Sequence, residues 1–276
     1  MSELTIARYF DARETTHDAP TEAVWTAQPQ RPHFPVSEGA AYQVSLADAW
    51  DEVREAQRLR FQVFESEYGA VMSGGTQGID DDEFDAYCDH LIVRCAQTQD
   101  IVGTYRVLLP EQAKRIGRYY SQGEFFMPRI ERQLSDVVEL GRSCVHVDHR
   151  NGAVIMLLWS AIARYMRHHG HRYLIGCASV SMRDGGIQAA SLWDQFKSSC
   201  LVDPMLEAFP KNRLQLDEIS RSEHVVVPPL IRGYLRLGAK VCGEPNWDPD
   251  FNTADFLMLM DLEQIDPRYA RHFGLV

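Results

Sequence analysis

Residues Val137 to Val145 (VVELGRSCV) are rich in β-branched side chains and run through HVDHRNGA into apolar positions Val154, Leu157, Leu158, Ala161, Ile162 and Tyr165, spaced three and four apart. The period of a strand thus gives way to the period of a helix across the turn 146–153. Gly170 stands where a left-handed C-cap belongs, and a second apolar strand, RYLIGCAS (Arg172 to Ser179), follows. A helix that crosses between two strands at the centre of a chain requires a layered α/β domain.

The flanking segments extend this reading. Leu46, Trp50, Val53, Ala56, Leu59 and Val63 form one helical face behind an S-x-x-D cap, Ser45 with Asp48, and the helix ends near Glu67 to Gly69. The acidic loop GIDDDEFDAYCD leads into two strands, His90 to Cys95 and Ile101 to Leu109, which the short polar AQTQD joins as an antiparallel pair. A second helix-compatible region and a loop precede Val137. Beyond Ser179 the pattern is looser, with a Pro-started helix over Pro228 to Gly238 and an apolar strand over Asp255 to Leu262. Residues 1–40 carry Pro20, Pro29, Pro32 and Pro35 among polar residues and are expected to be a flexible arm, open to a partner-binding role, before a domain over 41–276.

Composition narrows the function. The 28 Lys and Arg against 39 Asp and Glu give a net charge of −11, which argues against wrapping nucleic acid, whose phosphates demand cations. Six scattered cysteines without a C-x-x-C pair read as free thiols in a reducing compartment. The start MSELTIARYF has no secretory pattern, and the longest apolar run, Ala153 to Ala163, is far short of the ~20 residues that span a bilayer. A cytoplasmic protein with at most peripheral contact at the inner face of the cytoplasmic membrane is expected.

The turn Arg150-Asn151-Gly152-Ala153 opens a helix, so it offers backbone N–H groups, a positive helix end and a glycine that admits a phosphate. The full G-x-G-x-x-G and G-x-x-x-x-G-K-[ST] patterns are absent, which disfavours nucleotides. A purely structural turn is the competing reading.

This order of elements resembles the acyl-CoA N-acyltransferase (GNAT) superfamily: an α/β fold with a mixed central sheet flanked by helices, here with a C-terminal extension. At the level of whole motifs, GIDDDEFDAYCDHLIV, VGTYRVLLP, VELGRSCVH, LWSAIARY, LIGCAS, GYLRLGA and DPDFNTADFLML resemble the L-ornithine N-alpha-acyltransferase family, over roughly residues 50–276. The resemblance implies transfer of a 3-hydroxy fatty acyl group from acyl carrier protein to the α-amine of ornithine, the first step of ornithine-lipid synthesis, with no cofactor beyond the acyl donor and no metal. A more distant likeness to acyl-homoserine lactone synthases rests on Arg60, Phe64, Asp82, Asp85, Arg106, Glu139 and Arg142.

On that resemblance, Glu139 is the candidate base for the attacking amine, with Arg142 beside it, and burial would raise its pKa unless Arg142 holds it down. A structural Glu139–Arg142 ion pair is the alternative. Arg60, Phe64, Asp82, Asp85 and Arg106 are candidates for the acceptor, the carboxylates for ornithine's ammonium groups and an arginine for its carboxylate. Asp80 and Asp81 read as solvated. Ser143, Cys144, Val145 and His146 would supply backbone donors to the oxyanion, and Arg150, Asn151, Gly152 and Ala153 would hold the carrier's phosphate. Cys144 reads as a packing residue. Arg164, Arg167, His168, His169, His171 and Arg172 fit helix-end charge compensation, carrier-protein docking, anionic lipid or a metal. The alternative functions are acylation of lysine, glutamine or glycine, lactone synthesis, and a noncatalytic acyl-binding module at a membrane.

Overall fold

Side chains alternate between the two faces of a strand, so a strand that is apolar throughout must be covered on both sides. The computed structural model describes residues 22–26, 37–38, 41–68, 78–265 and 267–272. In chain order its elements are α1 (Glu22–Thr26), β1 (Ser37–Glu38), β2 (Tyr42–Leu46), α2 (Trp50–Tyr68), β3 (Asp89–Cys95), β4 (Ile101–Leu108), α3 (Pro110–Ile116), α4 (Ser121–Glu124) and β5 (Phe125–Phe126). They continue with β6 (Val137–Val145), α5 (Ala153–His169), β7 (Tyr173–Ser181), α6 (Ile187–Ser199), β8 (Phe209–Pro210), α7 (Pro229–Leu237), β9 (Lys240–Val241), β10 (Asn246–Asp248), β11 (Thr253–Asp261) and α8 (Pro267–His272).

The main sheet runs β1-β2-β3-β4-β6-β7-β11-β10, with β9 also on β11; every pairing is antiparallel except β6 with β7. This is the mixed sheet expected. Leu91 and Val93 pack toward α5 on one face, while Ile92 packs toward α2 on the other. The spacing of Val154, Leu158, Ala161, Ile162 and Tyr165 buries one side of α5, and Gly170 closes it at φ 72 by donating to the Met166 carbonyl.

Three expectations change. Ser45 caps nothing: it lies in β2 opposite Ile92, and the Asp48 N–H at the mouth of α2 is instead met by Glu52 Oε2 at 2.9 Å. The arm is folded in part, since Trp25 of α1 is buried against Trp50, with ring centroids 5.8 Å apart, and β1 pairs with β2. Its remaining positions lie outside the described residues. The loose region after β7 contains α6, which buries Ala189, Ala190, Leu192 and Phe196.

A buried ionic network ties α2 to the sheet. Arg60 is 0% exposed; its Nη1 and Nη2 donate to the two oxygens of Asp85, both at 2.8 Å, and its Nε donates to Asp80 at 2.8 Å. Arg106 of β4 reaches Asp82 at 2.6 Å and Asp85 at 3.2 Å, and Arg142 of β6 reaches Asp82 at 3.2 Å. Asp80 and Asp81 are therefore not solvated: Asp80 is buried, and Asp81 pairs with Arg54 at 3.1 Å. The arginines hold Asp82 below the usual carboxylate range and Asp85 well below it.

Two features separate β6 from β7. Parallel pairing covers only Val137–Glu139 with Tyr173–Ile175, after which β6 follows β4 and β7 follows β11. Gly141 faces Arg106 and Cys144 faces Thr104, so Arg142 and Ser143 share the single partner position of Tyr105 in a β-bulge, with Arg142 at φ 49. At the fork a Cβ on Gly176 would collide with the Leu140 carbonyl oxygen, so glycine is what lets the strands meet there.

Removing one member of a buried charge network leaves another uncompensated, at a cost of about 3–5 kcal/mol. Arg60→Met is therefore expected to lower the unfolding free energy in urea by that amount, and a loss under 1 kcal/mol would contradict the network's role. Gly176→Ala is expected to cost about 1–3 kcal/mol in the same assay, through backbone displacement at the fork.

Candidate active site

The strands' divergence leaves space that neither side can fill, and a cavity of about 630 Å³ occupies it. Because it passes through the sheet, its two ends differ in chemistry. On the α5 face Ile155, Trp159, Ile231, Met258 and Met260 make an apolar wall. On the opposite face Val137, Ile175 and Leu257 belong to one cluster, and alternation along the same strands puts Glu139, Cys177 and Asp255 there too. Glu139, Cys177 and Asp255 all line the cavity, together with Tyr120, Glu124 and Asp248.

Glu139 is 4% exposed. Its Oε1 accepts from the Ser121 N–H at 2.7 Å and the Ser121 hydroxyl at 2.5 Å, and its Oε2 accepts from the Tyr120 N–H at 2.6 Å. Burial raises its pKa, and these three donors oppose the rise without cancelling it. A carboxylate held in one orientation by α4 and tuned upward can accept a proton. Arg142 does not hold it down. The guanidinium turns toward the acidic loop, at 3.2 Å from Asp82 and 3.6 Å from Asp80, so the Glu139–Arg142 ion pair expected as an alternative does not form. The Arg142 head also lies over the Phe251 ring at 4.5 Å and over Tyr120 at 5.2 Å, in the cavity wall.

The other sequence candidates divide clearly. Phe64, Arg106, Ser143, Cys144, Val145, Arg150 and Gly152 line the cavity, whereas Arg60, Asp82, Asp85, His146, Asn151 and Ala153 are not in its wall. Arg60 and Asp85 are wholly engaged with each other and their neighbours inside the protein, which leaves them no group to offer an acceptor. The His146 N–H is spent on the Val102 carbonyl at 2.8 Å, and the Ala153 N–H on Asn151 Oδ1 at 3.0 Å. Gly152 adopts φ 90, a conformation that brings the turn to the cavity with little steric cost. Burial pushes the Cys144 thiol up, so it stays protonated, in keeping with a packing residue. In the basic cluster Arg172 binds Asp261 through two bonds at 2.8 and 2.6 Å, and His171 lies 3.3 Å from Asp136.

Sequence reasoning missed α4 and the acids Glu124, Asp248 and Asp255. An aspartate at the head of the apolar run Phe256 to Met260 was the one available signal for Asp255. The three acids each place an oxygen within 4.8 Å of the others. Burial is the largest cause raising Glu124 well above the usual range and Asp255 to about 6, with neighbouring carboxylates adding to both.

A GNAT acetyltransferase domain model matches residues 59–160. The L-ornithine N(alpha)-acyltransferase of Rhodobacter capsulatus is 32% identical over 245 residues, covering 84% of this chain and 95% of that protein. The protein of the same name from Brucella abortus is 33% identical over 249 residues, covering 84% and 88%. Among solved structures, the AHL synthase LasI is 12% identical with a TM-score of 0.47, covering 81% of this chain and 91% of its own. With a GNAT domain, a forked mixed sheet and this degree of identity over most of its length, the chain is an N-acyltransferase and belongs to the L-ornithine N(alpha)-acyltransferase family.

Proposed function

We propose that the protein joins a 3-hydroxy fatty acyl group, delivered by acyl carrier protein, to the α-amine of L-ornithine, giving lyso-ornithine lipid and free carrier. One observation carries this reading: a single cavity has Glu139 on one face of the sheet and, toward the other, Gly152 at the mouth of α5 and an apolar wall. A thioester in the fork would thus receive its carrier arm and acyl chain from the α5 face and its amine from the other.

The order of events follows from the chemistry. An α-ammonium loses a proton to the Glu139 carboxylate, directly or through water, and the free amine attacks the thioester carbonyl. The C–N bond forms, backbone N–H groups near the Arg142–Ser143 bulge steady the oxyanion, and the C–S bond then breaks. The acylated nitrogen sheds its extra proton, which the departing thiolate takes up as it leaves as the carrier's free thiol. Arg142, whose head lies in the cavity wall over Phe251 and Tyr120, is suited to the acceptor's carboxylate. Attack is direct in this reading, in keeping with burial, which raises the Cys144 and Cys177 thiols and leaves neither a ready thiolate. Contact with a membrane, where the product belongs, is peripheral in this reading: among the described residues no helix is long and apolar enough to cross one.

The test is incubation of the purified chain with a defined 3-hydroxyacyl carrier protein and a panel of amino acids, followed by product mass. N-acyl-ornithine as the main product is expected, and absence of any amide would overturn the reading. Glu139→Gln is expected to lower kcat by about 10²–10⁴ and to remove the acid limb of its pH profile. Wild-type turnover in a folded Glu139→Gln protein would exclude Glu139 as the base.

A further inference from the structure

Three acids at the polar end of the cavity, Glu124, Asp248 and Asp255, form no ion pair among the described residues. Asp255 is 3% exposed and lines the cavity; its Oδ1 has no hydrogen-bond partner of good geometry among the described residues, although the Ser179 hydroxyl lies nearby, while Oδ2 accepts from Thr253 at 3.3 Å. Both carboxylate oxygens of Glu124 are buried and equally unmet, although the Tyr120 hydroxyl and Cys177 thiol lie nearby. Asp248 accepts the Asp250 and Phe251 N–H groups through Oδ1, at 2.9 and 3.1 Å, which fixes its carboxylate beside the other two. Arg142 is the cation whose field reaches Asp255, and its charge is already shared with Asp80 and Asp82. The polar end of the cavity is therefore short of positive charge.

This deficit lies on the same face as the base. The Ser121 hydroxyl bonds Glu139 and also sits 3.5 Å from the Cys177 thiol, and Cys177 in turn feels both Glu124 and Asp255. Resting on the acceptor reading above, we infer that Glu124, Asp248 and Asp255 hold the second, side-chain ammonium of a diamino-acid acceptor whose α-amine meets Glu139. Buried unpaired carboxylates lose little solvation when a substrate cation arrives, and a neutral side chain would leave them uncompensated. Discrimination against acceptors that lack the second amine follows, because a site built for a polar group rejects the analogue without it strongly.

The experiment compares kcat and KM for ornithine with those for norvaline, its uncharged counterpart, in the wild-type protein and in Asp255→Asn and Glu124→Gln. The wild-type ratio of kcat/KM is expected to favour ornithine by at least about 100-fold. Each substitution is expected to cut that ratio at least tenfold, mainly through the KM for ornithine. A ratio unchanged by both substitutions overturns the inference while leaving N-acylation intact. Folding failure can be told apart: a raised carboxyl pKa stabilises the fold below its unfolded value of 3.8 and loses that contribution as pH rises through about 6, so Asp255→Asn is expected to keep or raise the unfolding midpoint at pH 7.5. Calorimetry without acyl donor separates the two readings. Preferential ornithine binding, lost in Asp255→Asn, would uphold the subsite even if no amide formed in any assay. Tight binding of Mn²⁺ that Asp255→Asn abolishes, with no preference for ornithine, would make this a metal site instead and overturn the inference.

Discussion

A guanidinium with no water around it governs the architecture. Arg60 sits on the inner face of α2, where the helical period calls for an apolar residue, and it can stay charged there only because Asp80 and Asp85 meet every edge of its head. The same aspartates and Asp82 bring in Arg106 from β4 and Arg142 from β6. Three arginines and three aspartates thus fix the acidic loop, the helix and two strands relative to one another. Such a network contributes little net stability compared with an apolar core, but it admits few alternative arrangements. Its consequence for function is the Arg142 bulge, because drawing that side chain toward Asp82 goes with a backbone at φ 49 beside the fork.

The fork itself is a compromise between two ladders. β7 keeps full register with β11 and β6 keeps to β4, so three pairs are all that join the halves of the sheet. A sheet interrupted this way exposes strand edges to the interior, where unpaired backbone groups are costly unless something uses them. An acyl-transfer site is a sensible use, since an oxyanion needs backbone donors that are already oriented. In the proposed reaction, the fork would let two reactants of opposite character approach one carbon from opposite faces. The apolar wall suits a fatty chain and the acidic end suits an amine, and neither needs to cross the other's surroundings.

The elements legible in the sequence were those set by local period. α5 with its Gly170 cap, the paired strands β3 and β4, and the strand-turn-helix around Gly152 all follow from residues close together in the chain. Ser45 misled because an S-x-x-D pattern also fits a strand followed by a turn, and pairing with β3 decides between them. Arg60 matched a motif but its role was hidden, for nothing local says whether a charge in a helix faces substrate or faces buried aspartates. Glu139 was legible as chemistry, while its true partners, Tyr120 and Ser121, lie in a short helix that no periodicity announces.

The acids show most sharply why the remainder was not legible. Six carboxylates within residues 80–89 look like the natural place to bind a cationic amino acid, yet density in sequence attracts arginines during folding as readily as it would attract a ligand afterwards. Asp80, Asp82 and Asp85 are satisfied by the protein itself, so they offer an incoming ammonium little. Glu124, Asp248 and Asp255 come from a short helix and the adjacent strands β10 and β11, none of which brings an arginine of its own to the group. What distinguishes a binding carboxylate from a structural one is the counter-charge still missing once the fold is complete, and that is a property of the assembled sheet rather than of any segment.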